Sequence, residues 1–282
     1  MAIHHYTKAR ILPLMLESGK IRFTRADCLD DKSEMPFRSV HVDPKNFFIS
    51  SWTRSADEQS GQWYRYANAH TGVRITMPDM PFDLQKATID LSRESRKPEL
   101  AGKPMGIQIR DVALPYPISC MFGNGYVIYP ASANPQDDFG GEVCYVNDHA
   151  EHVKKFISSD SGSTTILGGT RLARVKSLPW KDQAEYRFVL MAIAGPDLSY
   201  SESPSGYLAA LYDLLETNAI ADRPLSPPTV ASIDLPFSAQ ALDSLVVTLG
   251  SSITIEDRDA VNQAVQRFAP NATVLDSEML VR

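Results

Sequence analysis

The segment WKDQAEYRF, Trp180 to Phe188, sets an amide and a carboxylate two residues apart, Gln183 and Glu185. The run that follows, EYRFVLMA, reads as a strand, and residues two apart on a strand share a face. A carboxylate so placed can stabilise a developing positive charge, and an amide beside it can donate and accept hydrogen bonds without adding charge. The same pair also suits a solvated strand edge. Two further groups carry polar chemistry. His5-Tyr6-Thr7 lies on a short N-terminal strand, and Ser50-Ser51 closes the apolar run NFFISSW. Trp63 and Tyr66 fall at helical spacing just after it and fit either a packed core or a stacking surface.

Other chemistries find less support. Asp30, Asp31 and Glu34 form an acid cluster that can bind a metal or simply be solvated, and no ordered His/Asp set accompanies it. The zincin, phosphate-loop, nucleophile-elbow and dinucleotide-binding motifs are missing, and no histidine neighbours Cys28 in the sequence. The expectation is therefore no metal.

Elements able to position these groups follow from periodicity and punctuation. Strands are expected over 2–6, 20–24, 46–52, 73–77, 142–146, 170–178 and from 185 onward. Thr7 is expected to cap a helix ending at Gly19, and Ser55 with Glu58 to form a capping box for the helix bearing Trp63 and Tyr66. Residues 79–140, rich in Pro and Gly, read as an irregular insertion. The region from about 229 to 282 reads as a strand–helix–strand extension whose purpose is packing. Few helices and many short strands without regular alternation predict an α+β chain of one domain, 1–282.

Composition bounds the rest. The 282 residues are 43% apolar and 22% charged, with a net charge of −6 and a pI near 5.5, so global attraction to nucleic acid is not indicated. Local basic clusters exist: Arg171, Arg174, Lys176, Lys181 and Arg187 around the last motif, and Arg54, Arg65 and Arg74 around the middle one. They fit either solvated faces or a cradle for phosphates. Cys28, Cys120 and Cys144 are scattered, which suggests a reducing, cytoplasmic setting. The N-terminal apolar run is too short for a membrane span, so no membrane partner is expected.

Taken in order, HYT…IL…LESGKIRFT…LDDKSE, FFISSWT…QWYRYANAHTGVRI, VCYV and K…W…AEYRF resemble the bacterial domain-of-unknown-function family 2971 over essentially the whole chain. The chain departs from that pattern at Lys32-Ser33, where Pro is usual, at Ser50-Ser51, where Phe-Ser is common, and at Gln183, where Glu is common. That family in turn is similar to the ADP-ribosyltransferase superfamily, DarT-like toxins included, through an early His, a middle Ser or Tyr and a late (Gln/Glu)-x-Glu.

The resemblance implies a split two-sheet core with peripheral helices, which binds NAD between its sheets. It implies Glu185 as the carboxylate that holds the ribose and stabilises an oxocarbenium-like sugar, with Gln183 orienting the acceptor. His5, Tyr6, Thr7, Ser50, Ser51, Trp63 and Tyr66 would then bind NAD, and Arg54, Arg65, Arg174 and Lys176 the acceptor. A Gln two before the Glu resembles enzymes that modify amides or nucleobases. The implied role is a toxin modifying RNA or DNA and held silent by an antitoxin or chaperone. A silent nucleotide- or peptide-binding module, and transfer to a protein side chain, stay open as alternatives.

Overall fold

A computed structural model describes residues 1–31, 35, 43–130, 138–160, 163–166, 169–223 and 225–279. Lys32, Ser33 and Glu34 lie outside the described residues. The chain is α+β. Among the described residues its main sheet has eleven strands. In chain order these are β1 (Ala2–Thr7), β2 (Lys20–Arg25), β3 (Phe47–Thr53), β4 (Val73–Pro78), β5 (Phe122–Gly123), β6 (Tyr126–Ile128), β7 (Gly140–Glu142), β8 (Glu185–Ala194), β9 (Ser232–Pro236), β10 (Val246–Leu249) and β11 (Thr273–Asp276).

The centre is the antiparallel pair β3–β8, in register from Met191 opposite Phe47 to Glu185 opposite Thr53. Nine of the ten β8 residues are buried, as suits a strand covered on both faces. One face sends Phe48, Trp52, Phe188 and Leu190 into the main core. The other sends Phe47, Ile49, Val189 and Met191 into a second, smaller core. Because side chains alternate, that second face continues along the pair as Ser51 opposite Arg187 and Thr53 opposite Glu185. The stripe thus changes from apolar to polar toward one end.

At that end the sheet forks. β8 takes one edge of β3 along its whole length. The other edge is shared: β1 meets it only at His4 opposite Thr53, and β2 only at Thr24 and Arg25 opposite Ile49 and Phe48. β1 continues outward through β4, β10 and β11, while β2 pairs with β9. Ser50, Ser51 and Trp52 form the floor where the two wings part.

Several expected elements differ. TRLARVKSL is a 3-10 segment, Gly169–Arg174, followed by a three-residue strand, Val175–Ser177, that pairs parallel with Cys144–Val146. Its alternation reflects Leu172, Ala173 and Val175 packing into the second core. Thr7 caps nothing: β1 runs through it, a 3-10 turn follows, and helix α1 (Leu12–Ser18) ends at Gly19 in the left-handed conformation (φ 62°). No Ser55–Glu58 capping box forms either. Helix α2 (Ser60–Tyr66) starts five residues later without a side-chain cap, because Glu58 is claimed by other partners. The insertion holds two small hairpins, one pairing Gln85–Asp90 with Gln108–Leu114 and one pairing Arg93–Glu94 with Pro104–Met105. Among the described residues no helix is long and apolar enough to cross a membrane, and the three cysteines are free thiols.

Candidate functional site

The fork between β1 and β2 holds a cavity of about 230 Å³. His5 of β1, Thr24 of β2, Ser50 and Ser51 of β3 and Glu185 of β8 line it, with Gln183, Tyr66 and Lys176 alongside. Two neighbouring cavities, of about 70 and 300 Å³, share His5 in their walls, one reaching Tyr6 and the other Thr7 and α1.

Glu185 organises the chemistry. It is 7% exposed. Its Oε1 accepts from Ser51 Oγ (2.5 Å) and Arg187 Nε (2.8 Å); its Oε2 accepts from Arg187 Nη2 (3.0 Å) and Lys176 Nζ (3.2 Å). Those four bonds use the carboxylate's four acceptor directions. Its own N–H donates to Tyr145 Oη (2.9 Å). Burial raises the Glu185 pKa, but Arg187, Lys176 and Ser51 together outweigh it and hold the value at about 2. This carboxylate is therefore a fixed negative charge at neutral pH and a poor proton carrier.

Gln183 does not sit on the strand. It ends the 3-10 turn Leu178–Gln183, and Ala184 turns the chain through the left-handed region (φ 42°) before β8 begins. The two side chains nonetheless converge, for Lys176 Nζ also donates to Gln183 Oε1 (2.8 Å). Gln183 Nε2 donates to Tyr66 Oη (2.9 Å), and Gln62 Nε2 to the Gln183 carbonyl (2.7 Å). A non-glycine residue in the left-handed region costs roughly 1 kcal/mol, and Thr53 helps to hold it by donating to the Ala184 carbonyl (2.9 Å).

His5 Nδ1 lies 2.8 Å from the Ser51 carbonyl, which can only accept. The proton is therefore on Nδ1, and Nε2 is left as the acceptor. Burial lowers the His5 pKa against a smaller upward pull from that bond, so the ring is neutral. A neutral ring with a free lone pair suits a ligand hydroxyl. His4, beside it, bonds Thr76 Oγ1 (2.8 Å), and burial with the nearby Arg74 lowers it to about 4.

The remaining expected residues separate. Tyr6 and Tyr66 reach the cavities, but Trp63 is 0% exposed, stacked on His70 and edge-on to Tyr6, so it cannot meet a ligand. Ser50 lines the cavity but its hydroxyl accepts from Trp52 Nε1 (3.1 Å). Of the four acceptor cations, only Lys176 faces the cavity. Arg54 lies over Tyr186 and near Asp79 and Glu142, Arg65 pairs with Asp182 (2.7 Å), and Arg174 donates to the Gly140 carbonyl (2.9 Å) beside Asp138. Nor is the lining basic. Among the described residues it carries Arg22, Lys176 and Arg187 along with Asp30, Asp31 and Glu185, three charges of each sign. Asp30 and Asp31 thus belong to the cavity wall. Among the described residues no group of three His, Cys, Asp or Glu is placed to hold a metal.

Sequence reasoning missed Gln62, Tyr145 and Arg22, and gave no role to Trp180, whose ring lies 5.0 Å from Lys176 Nζ. Tyr145 sits in a recognised strand, but nothing local marks its hydroxyl as the partner of Glu185.

The titrations give a stability prediction. His4, His5 and Glu185 all have folded pKa values below their unfolded ones. Each contributes stability that is complete above the unfolded value and lost as pH falls through the folded value. For His4 the window runs from 6.5 to about 4, and for Glu185 from 4.5 to about 2. Urea midpoints are expected to fall across both windows, the lower carrying on the order of 3 kcal/mol. In Glu185→Gln the lower loss shrinks; an undiminished one places it elsewhere.

Comparison with protein-family models, with characterised proteins and with solved structures finds no match to this chain.

Proposed function

We propose that this chain is an NAD-dependent ADP-ribosyltransferase that modifies a base of RNA or DNA, acting in the cytoplasm as a toxin restrained by an antitoxin or chaperone. One observation carries the reading. Residues from four remote segments, His5, Ser51, Gln183 with Glu185, and Tyr66, line one cavity at a fork in the sheet. The fork also supports an ADP-ribosyltransferase-like arrangement, with one wing on each side of the ligand.

The residues fit the reaction in this way. The C1′–N bond of NAD breaks, its electron pair leaves with nicotinamide, and the ribose becomes oxocarbenium-like. The fixed negative charge of Glu185 stabilises that sugar, and its burial strengthens the effect. His5 Nε2 accepts a ribose hydroxyl. Gln183 orients the base, whose nitrogen attacks C1′; the displaced proton passes to water, because a carboxylate with a pKa of about 2 is a weak base. With Glu185 fully bonded, a ribose hydroxyl must replace one donor. Lys176, the longest at 3.2 Å, is the one to yield. The charge-balanced lining favours one unstacked base over a tracked phosphate backbone.

That same saturation of Glu185 favours a second reading, a module that binds a nucleotide without turning it over. NAD labelled in its adenylate half, incubated with the protein and cell extract, separates the possibilities. The expected result is nicotinamide release with label in a nuclease-sensitive polymer. Label confined to protein refutes the base as acceptor. Thermal stabilisation by NAD without nicotinamide release supports the binding module.

A further inference from the structure

The C-terminal β10–helix–β11 unit occupies the outer edge of one wing, its strands lying second and third beyond β1. The chain just after β11 turns back toward the site. The Ser277 N–H donates to the Leu249 carbonyl (2.8 Å), Ser277 Oγ donates to Glu58 Oε2 (2.5 Å), and the Glu278 N–H donates to Glu58 Oε1 (3.0 Å). Met279 then packs on the small cluster of Tyr6, Trp63 and Ala67, against which Tyr66 also lies. The Glu58 carboxylate accepts a third bond, from Trp63 Nε1 (2.8 Å). One side chain therefore ties the tail, 277–279, to α2.

α2 in turn holds Gln183. Gln62 grips its carbonyl and Tyr66 its side-chain amide. A short helix with no side-chain cap has little stability of its own, so its placement depends on tertiary contacts. The tail and Glu58 supply several of these.

We propose that Glu58 is a positioning residue, through which the docked tail 277–279 sets α2 and hence the orientation of Gln183. Resting on the transferase reading, this assigns the C-terminal unit to the acceptor step. Cleavage of NAD depends on Glu185, which β8 and Arg187 hold independently of α2. Transfer depends on Gln183. Loosening the tail is therefore expected to uncouple transfer from cleavage.

The test uses the full chain with Glu58→Ala, Glu58→Gln and the milder Ser277→Ala. Hydrogen exchange is followed in segments 59–67 and 178–184. Glu58→Ala is expected to speed exchange in both segments while β8 is unchanged. The ratio of ADP-ribose transferred to ADP-ribose hydrolysed should fall about tenfold, the scale of one lost positioning hydrogen bond. Glu58→Gln keeps a carbonyl acceptor and is expected to recover part of both effects. Faster exchange at 59–67 with none at 178–184 overturns the coupling, as does an unchanged transfer ratio in an active enzyme. Should Glu58→Ala fail to fold, Ser277→Ala decides by the same two readouts. If the wild-type chain releases no nicotinamide, the transferase reading fails, while the exchange measurement still decides the link to Gln183.

Discussion

Replacing Glu185 by glutamine is expected to lower nicotinamide release from NAD by about 10²–10³, roughly 3–4 kcal/mol of transition-state stabilisation. Glutamine keeps the volume and one acceptor oxygen, so Ser51 keeps a partner. What disappears is the negative charge, which matters most as the sugar becomes positive. The loss should therefore fall on kcat with little change in KM. Growth arrest on expression should disappear with it. The substitution also leaves Arg187 and Lys176 buried without their carboxylate, so the variant is less stable. Rates must be compared at a temperature where near-ultraviolet circular dichroism shows both proteins folded. Unchanged nicotinamide release in a folded variant removes Glu185 from the reaction, and with it the transferase reading.

How far the sequence alone leads differs from residue to residue. The apolar runs FFISSW and EYRFVLMA mark the two central strands plainly, since strands buried on both faces need continuous apolar content. Glu185 and Ser51 come to the site by alternation on those strands. Gln183 comes there by another route, a 3-10 turn and a left-handed alanine, which nothing local announces because alanine disfavours that conformation. Trp63 and Tyr66 share a helix, yet one turns to the core and one to the cavity; spacing gives a common side without giving depth.

Arg54, Arg65 and Arg174 stand near the motifs in sequence, but each is directed to a carboxylate or carbonyl away from the cavity. Charge clusters along a chain say little about which charges meet. The capping box failed for a similar reason. Ser55-x-x-Glu58 has the right local form, but Glu58 accepts from Trp63 and from two groups more than two hundred residues on, at Ser277 and Glu278. The α+β class was legible because it depends on the count and order of elements, whereas the fork depends on β1 and β2 competing for one edge of β3.

Arg187→Met is expected to have the largest effect on stability, about 3–5 kcal/mol, read as a fall in the urea midpoint. Arg187 is 1% exposed and holds Glu185 by both Nε and Nη2, with Nη1 donating to the Ala173 carbonyl (2.8 Å). Methionine fills much of the space but strands a buried carboxylate on Lys176 and Ser51. The Glu185 pKa then rises, because its largest opposing influence is gone. The acid loss of stability that Glu185 carries should accordingly be smaller than in the wild type and be complete at a higher pH, while its onset stays at the unfolded value of 4.5. The double variant Arg187→Met with Glu185→Leu separates the two purposes a buried pair can serve. Compared in a Lys176→Met background, where no second buried cation is left without its carboxylate, taking both charges out of a dry interior removes a desolvation cost, so the double variant is expected to be more stable than Arg187→Met alone. It should nonetheless release no nicotinamide. Stability regained without turnover marks a pair kept for its charge. A double variant as unstable as the single one shows instead that packing around Arg187, and not its pairing with Glu185, holds this end of the sheet.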